Sequence, residues 1–137
     1  QRLRYRARLS GPLLDRIDIG VTMPRVSFDV LTGPPDGDTS STVRERVVAA
    51  RERALARQGC TNGVAAADIL LPTLEVAATR LLRSAASQLT LSARHCHRVL
   101  RAARSIADLA DTDSIHEQHM AEALSLRLGL EEGSSGP

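Results

Sequence analysis

The sequence has no lysine and no tryptophan: all eighteen basic residues are arginines. A Walker A phosphate loop, G-x-x-x-x-G-K-[ST], needs a lysine to reach the β- and γ-phosphates. This chain cannot form one, so any nucleotide chemistry would draw its phosphate loop from elsewhere. Aromatics are almost absent, with only Tyr5 and Phe28. The core must therefore be built from Leu, Val, Ile and Ala, a composition that suits packed helices better than a sandwich or barrel. The same shortage gives base stacking on single-stranded nucleic acid little support. Long apolar runs are missing, and no signal peptide is visible. Two cysteines, Cys60 and Cys96, in a chain without secretion signals imply a reduced, cytoplasmic setting.

What is present fits one domain, or one domain and a fragment of another, in 137 residues. The chain opens on Gln1 in residues that already read as helical, and is taken as a piece of a longer protein. Its net charge of +2 does not by itself demand nucleic acid. The sign is unevenly spread: residues 1–8 hold four arginines and no acid, and residues 111–132 hold six acids and one arginine.

RLRYRARLSG reads as the end of a helix, stopped at Gly11-Pro12. Ile17 to Met23 has the β-branched content of one strand, which alone cannot be stable in water. Val26 to Leu31 suits a short helical turn. Thr32 to Ser41 is dense in Gly, Pro, Asp and Ser and reads as a linker. Four amphipathic segments follow. The first is capped by Ser41 or Thr42 and stopped by Gly59. The second runs from a Thr73 cap to about Leu89, and the third from a Ser92 cap to about Ala110. The fourth spans Ile115 to Leu128. Cys60 to Leu71 is a loop or short helix ending at Pro72. The expected fold is mainly α: a four-helix bundle preceded by one helix and one strand. In the third helix, Cys96, Val99, Leu100, Ala103, Ile106, Ala107 and Ala110 form an apolar stripe. Arg94, Arg98 and Arg101 oppose it and Arg104 flanks them, which reads either as a solvated face or as a source of phosphate ligands at the helix start.

Two arginine-centred segments give the chain its character. They are LSGPLLDRID, Leu9 to Asp18, and LSARHCHRVLRAARSIADL, Leu91 to Leu109. With RYRARLSGPLLDRIDIGVTMPRV, VRERVVAARERALARQG and DSIHEQHMAEAL in the same order, the chain resembles the C-terminal part of a magnesium chelatase-like AAA+ ATPase of the bacterial competence-related subgroup. The likeness covers roughly residues 1–128.

The resemblance implies a division: residues 1–31 end the ATPase core, 32–40 form a linker, 41–128 form the helical lid and 129–137 are a disordered tail. It implies that Arg16, closing Pro12-Leu13-Leu14-Asp15-Arg16, is a catalytic finger acting on a neighbouring subunit. It also implies that Arg94, in Ser92-Ala93-Arg94, is the sensor arginine that touches bound nucleotide. Phosphoryl transfer needs positive charge at the departing γ-phosphate, and a guanidinium supplies planar, permanently charged donors. The implied whole protein binds ATP with Mg²⁺ and forms a homo-oligomeric ring, a hexamer, that remodels DNA in the cytoplasm without a membrane. Lacking the Walker motifs, this chain alone is expected neither to hold nucleotide tightly nor to hydrolyse it.

The alternatives stay open. Local sequence favours a salt bridge from Arg16 to Asp15 or Asp18. The whole chain could also be a non-enzymatic helical interaction or nucleic-acid-binding module. No metal site is expected. His95 and His97 point about 160° apart on a helix at about 100° per residue, and the pair His116 and His119 needs two further ligands.

Overall fold

The computed structural model describes residues 17–21 and 23–131, with side chains through Arg127. Arg16 and the expected first helix lie outside the described residues, as does the end of the tail. Six helices occur among the described residues. They are α1 (Phe28–Thr32), α2 (Ser40–Gln58), α3 (Ala67–Leu70), α4 (Val76–Gln88), α5 (Ala93–Leu109) and α6 (Glu117–Glu131). Short 3₁₀ turns at Asn62–Val64 and Leu71–Thr73 flank α3.

The helix ends follow capping chemistry. Thr39, rather than Ser41 or Thr42, caps α2: its hydroxyl accepts the Thr42 N–H at 3.2 Å. Gly59 closes α2 in the left-handed region at φ 70°, where its N–H reaches Leu55 O at 2.8 Å. Ser92 caps α5 by accepting the His95 N–H at 3.3 Å. Thr73 is not the cap of α4. Its hydroxyl donates to Leu70 O at 2.7 Å and finishes the preceding turn, so α4 begins after Glu75. Ile115 is not helical either. It forms an isolated parallel bridge with Leu74, donating to Thr73 O at 2.7 Å and accepting from Glu75 N–H at 3.1 Å. This cross-link stitches together the starts of α4 and α6.

The expected strand over Ile17–Met23 is not formed: there are no strands among the described residues. A strand needs a neighbouring backbone to pair with. Here the backbone meets the last turns of a helix instead. Gly20 N–H donates to Leu126 O at 2.9 Å, and Ile17 O accepts from Arg127 at 2.7 Å.

The bundle is organised around α5. Helix α6 packs on α5 and α4, and α2 packs on α5 from another side. The buried core includes Leu70, Val99, Leu100, Ile115, Met120 and Leu124, with Ala78, Ala85, Ala103, Ala107 and Ala123 between them. Small side chains at these contacts let helix axes approach closely, which compensates for the missing aromatics.

Candidate nucleotide-facing site

Helix α5 carries four arginines with different fates. Arg98 is mostly buried and its Nε lies 3.1 Å from the Asp18 carboxylate. Arg101 donates from Nε to Ala65 O at 2.9 Å. Arg104 is fully buried, 0% exposed, and donates to Asp108 at 2.9 Å and to the Asp113 and Thr112 carbonyls. Arg94 alone is exposed, in the first turn after the Ser92 cap, and it makes no hydrogen bond or ion pair to a described residue. That turn also presents backbone N–H groups without intrahelical acceptors, a setting that favours anions. The solvated arginine face anticipated for α5 therefore reduces to its first turn.

The two arginine-centred segments are joined. Asp18 ends the first and Arg98 lies in the second, and their ion pair spans them. Asp18 is thus engaged by α5, two residues beyond Arg16. The structure brings the chain leaving Arg16 onto the helix that displays Arg94. It does not describe Arg16 itself.

At the other end of α5 lies a polar cluster that sequence reasoning missed. The Asp108 carboxylate accepts both arms of Arg57, at 2.7 and 2.9 Å, together with Asn62 at 2.7 Å and Arg104 at 2.9 Å. Asn62 also accepts from Gln58 at 3.0 Å and from Arg57 at 3.1 Å. Burial would raise the Asp108 pKa. The Arg57 and Asn62 hydrogen bonds, with the charges of Arg104 and Arg57, outweigh burial and hold the carboxyl below its ordinary value. Every oxygen of Asp108 is thereby engaged, so its chemistry is structural: it binds α2, the 62–64 turn and α5 together. The one local signal was the i, i+4 spacing of Arg104 and Asp108 beside the apolar stripe. A cavity of about 330 Å³ adjoins the cluster between α2 and α5, lined by Val47, Ala50, Ala54, Asn62, Ser105 and Leu109 among others.

His116 Nδ1 lies 2.8 Å from Glu75 Oε1, while His119 Nδ1 accepts the His116 N–H at 3.2 Å and its Nε2 lies 3.3 Å from Gln118 Nε2. Among the described residues no group of three or more His, Cys, Asp or Glu side chains could hold a metal ion. No helix among them is long and apolar enough to cross a membrane.

Charge is sorted along the chain. From Val76 to Ala107 there is no Asp or Glu, but six arginines: 80, 83, 94, 98, 101 and 104. With a net charge of +2 overall, the remainder of the chain carries −4. Arg98, Arg101 and Arg104 are committed internally. Arg80, Arg83 and Arg94 are exposed without a described partner, so α4 and the start of α5 present basic side chains to solvent.

Residues 37–127 match the family described as magnesium chelatase, subunit ChlI C-terminal, and residues 1–31 match magnesium chelatase, subunit ChlI. The chain is 39% identical to the protein YifB of Escherichia coli over 93% of its own length and 26% of the relative's. It is 37% identical to competence protein ComM of Haemophilus influenzae, again over 93% and 26%. A Mycobacterium tuberculosis relative is 40% identical over 90% of this chain and 26% of its own length. The chain thus spans about a quarter of the length of the curated relatives it matches. The match through the helices α2 to α6, and the order of the two segments, place it: this chain belongs to the magnesium chelatase, subunit ChlI C-terminal family.

Proposed function

We propose that this chain is the lid segment of an AAA+-type ATPase, with residues 1–31 ending its ATPase core and 41–128 forming the lid. One observation carries the reading. Three of the four arginines on α5 are consumed by the fold, and Arg94 is left exposed at the Ser92-capped start. In the whole protein Arg94 reaches the phosphates of ATP held with Mg²⁺ by a phosphate loop outside this chain. Arg16 acts across a subunit interface of a ring, a hexamer, on the γ-phosphate of the neighbour. The Asp18–Arg98 pair supports this coupling, because it ties the chain just after Arg16 to the helix of Arg94. The whole ATPase remodels DNA, in keeping with a relative named as a competence protein.

The test uses the full-length protein. Arg16→Ala should lower ATP turnover far more than nucleotide affinity, since a finger acts on charge that develops in the transition state. Arginine fingers elsewhere contribute about 10³–10⁵ in rate. Subunits carrying Arg16→Ala mixed with subunits dead in their own phosphate loop should regain activity. Turnover no higher than in either variant alone, with assembly confirmed, rejects the trans role.

A second reading has its own support. The acid-free stretch from Val76 to Ala107, with Arg80 and Arg83 exposed, fits a nucleic-acid-binding module that needs no ATP. Binding of duplex DNA by this chain that is lost in Arg80→Ala/Arg83→Ala, together with a full-length protein that lacks ATPase activity, would favour it.

A further inference from the structure

The start of α6 is capped by a histidine. His116 is the residue before the helix, and its carbonyl accepts the Met120 N–H at 3.2 Å. Its own N–H donates to Nδ1 of His119 at 3.2 Å. His119 is the third helical residue. It occupies the place from which Glu or Gln reaches back in a capping box. The ring is 2% exposed and lies 5.3 Å from that of His116. His116 in turn pairs with Glu75, the residue that precedes α4, at 2.8 Å. The Leu74–Ile115 bridge runs alongside. The first turns of α4 and α6 are therefore held by one clasp, and a neutral imidazole acceptor completes it.

We propose that His119 is an acid-sensitive latch: neutral, it closes the α4–α6 clasp, and protonated, it releases it. An Nδ1 that carries a proton cannot accept the His116 N–H, so two donors would face each other in a buried site. The new charge would also sit at the positive end of the α6 dipole. The surrounding charges do not rescue it. Burial opposes protonation most, and His116 and Arg104 of α5 oppose it further; Glu122 one turn along α6 and Glu75 ahead of α4 favour it but lose. The His119 pKa accordingly lies below its ordinary value, and the folded chain keeps the ring neutral where the unfolded chain would protonate it. The stability contributed by the neutral ring is complete above the unfolded value of about 6.5 and is lost as pH falls through the folded one. Asp108 is depressed from a carboxylate value, so the α2–α5 cluster keeps its charge through the mild-acid range in which a histidine ordinarily titrates. Mild acid thus loosens one junction of the bundle and leaves the other intact.

Native-state hydrogen exchange on this chain between pH 8 and pH 5, corrected for intrinsic rates, tests the latch. The amides of Glu75, Ile115 and His116 should lose at least about tenfold in protection, while those in the centres of α2 and α5 hold. In His119→Gln, whose amide oxygen can accept the same N–H but does not titrate, protection should be flat with pH. Equal loss in His119→Gln, or clasp amides indifferent to pH in the parent, overturns the proposal. Should the variant fail to fold, imidazole resonances of the parent decide: His119 titrating at or above the ordinary histidine value also overturns it.

Discussion

The bundle of α2 to α6 holds the buried apolar core, whereas the segment from Ile17 to Thr32 leaves its large apolar side chains in solvent. Leu70, Ile115 and Met120 are fully buried; Met23 is 82% exposed, Phe28 76% and Leu31 74%. The segment is held instead by polar contacts: Asp18 to Arg98, Arg127 to Ile17 O, and Gly20 to Leu126 O. Such contacts are worth roughly 0–1.5 kcal/mol each, and an exposed ion pair about 0–1. Burial at about 25 cal/mol per Å² outweighs them wherever a large side chain is covered. The bundle therefore carries the stability, and the segment is positioned by it. This asymmetry suits a chain in which a second body of protein covers residues 17–32, as the lid reading requires.

Substitutions should sharpen this contrast in urea unfolding. The largest loss is expected for Asp108→Ala, which strands Arg104 and Arg57 around a missing counter-charge and should cost about 3–5 kcal/mol. Leu70→Ala removes a fully buried side chain and should cost about 2–5 kcal/mol. Ser92→Ala loses the α5 cap and should cost about 1 kcal/mol. Phe28→Ala, in the exposed segment, should change stability by less than about 0.5 kcal/mol. A Phe28→Ala loss comparable to that of Leu70→Ala would erase the distinction between the two regions.

Much of the fold is legible because capping and periodicity are local. Ser92 and Gly59 mark their helix ends by chemistry that needs only a few neighbouring residues. Thr73 and Ile115 misled because a tertiary contact, the bridge between Leu74 and Ile115, claimed residues that local pattern assigned to helices. Ile17–Met23 has the composition of a strand, but composition does not supply a partner strand; a helix end took its backbone bonds. The buried cluster was hidden for a different reason. Arg57 and Asn62 meet Asp108 across 51 and 46 residues, and nothing in any single helix announces the meeting. Arg104 consequently read as one more surface arginine. At the candidate site the motif around Arg94 was legible, whereas the commitment of its three companions to the fold was not.

The division of labour on α5 is the claim most open to direct test. Titration calorimetry of MgATP with the full-length protein should compare Arg94→Ala with the parent, alongside urea unfolding of this chain carrying the same substitution. Loss of one charge-assisted hydrogen bond, about 1.5–3 kcal/mol, corresponds to weakening of nucleotide binding by roughly tenfold or more. Stability of this chain should stay within about 0.5 kcal/mol, because Arg94 makes no hydrogen bond or ion pair to a described residue. Unchanged nucleotide affinity with a destabilised bundle would contradict the account and make Arg94 a structural residue like Arg98, Arg101 and Arg104.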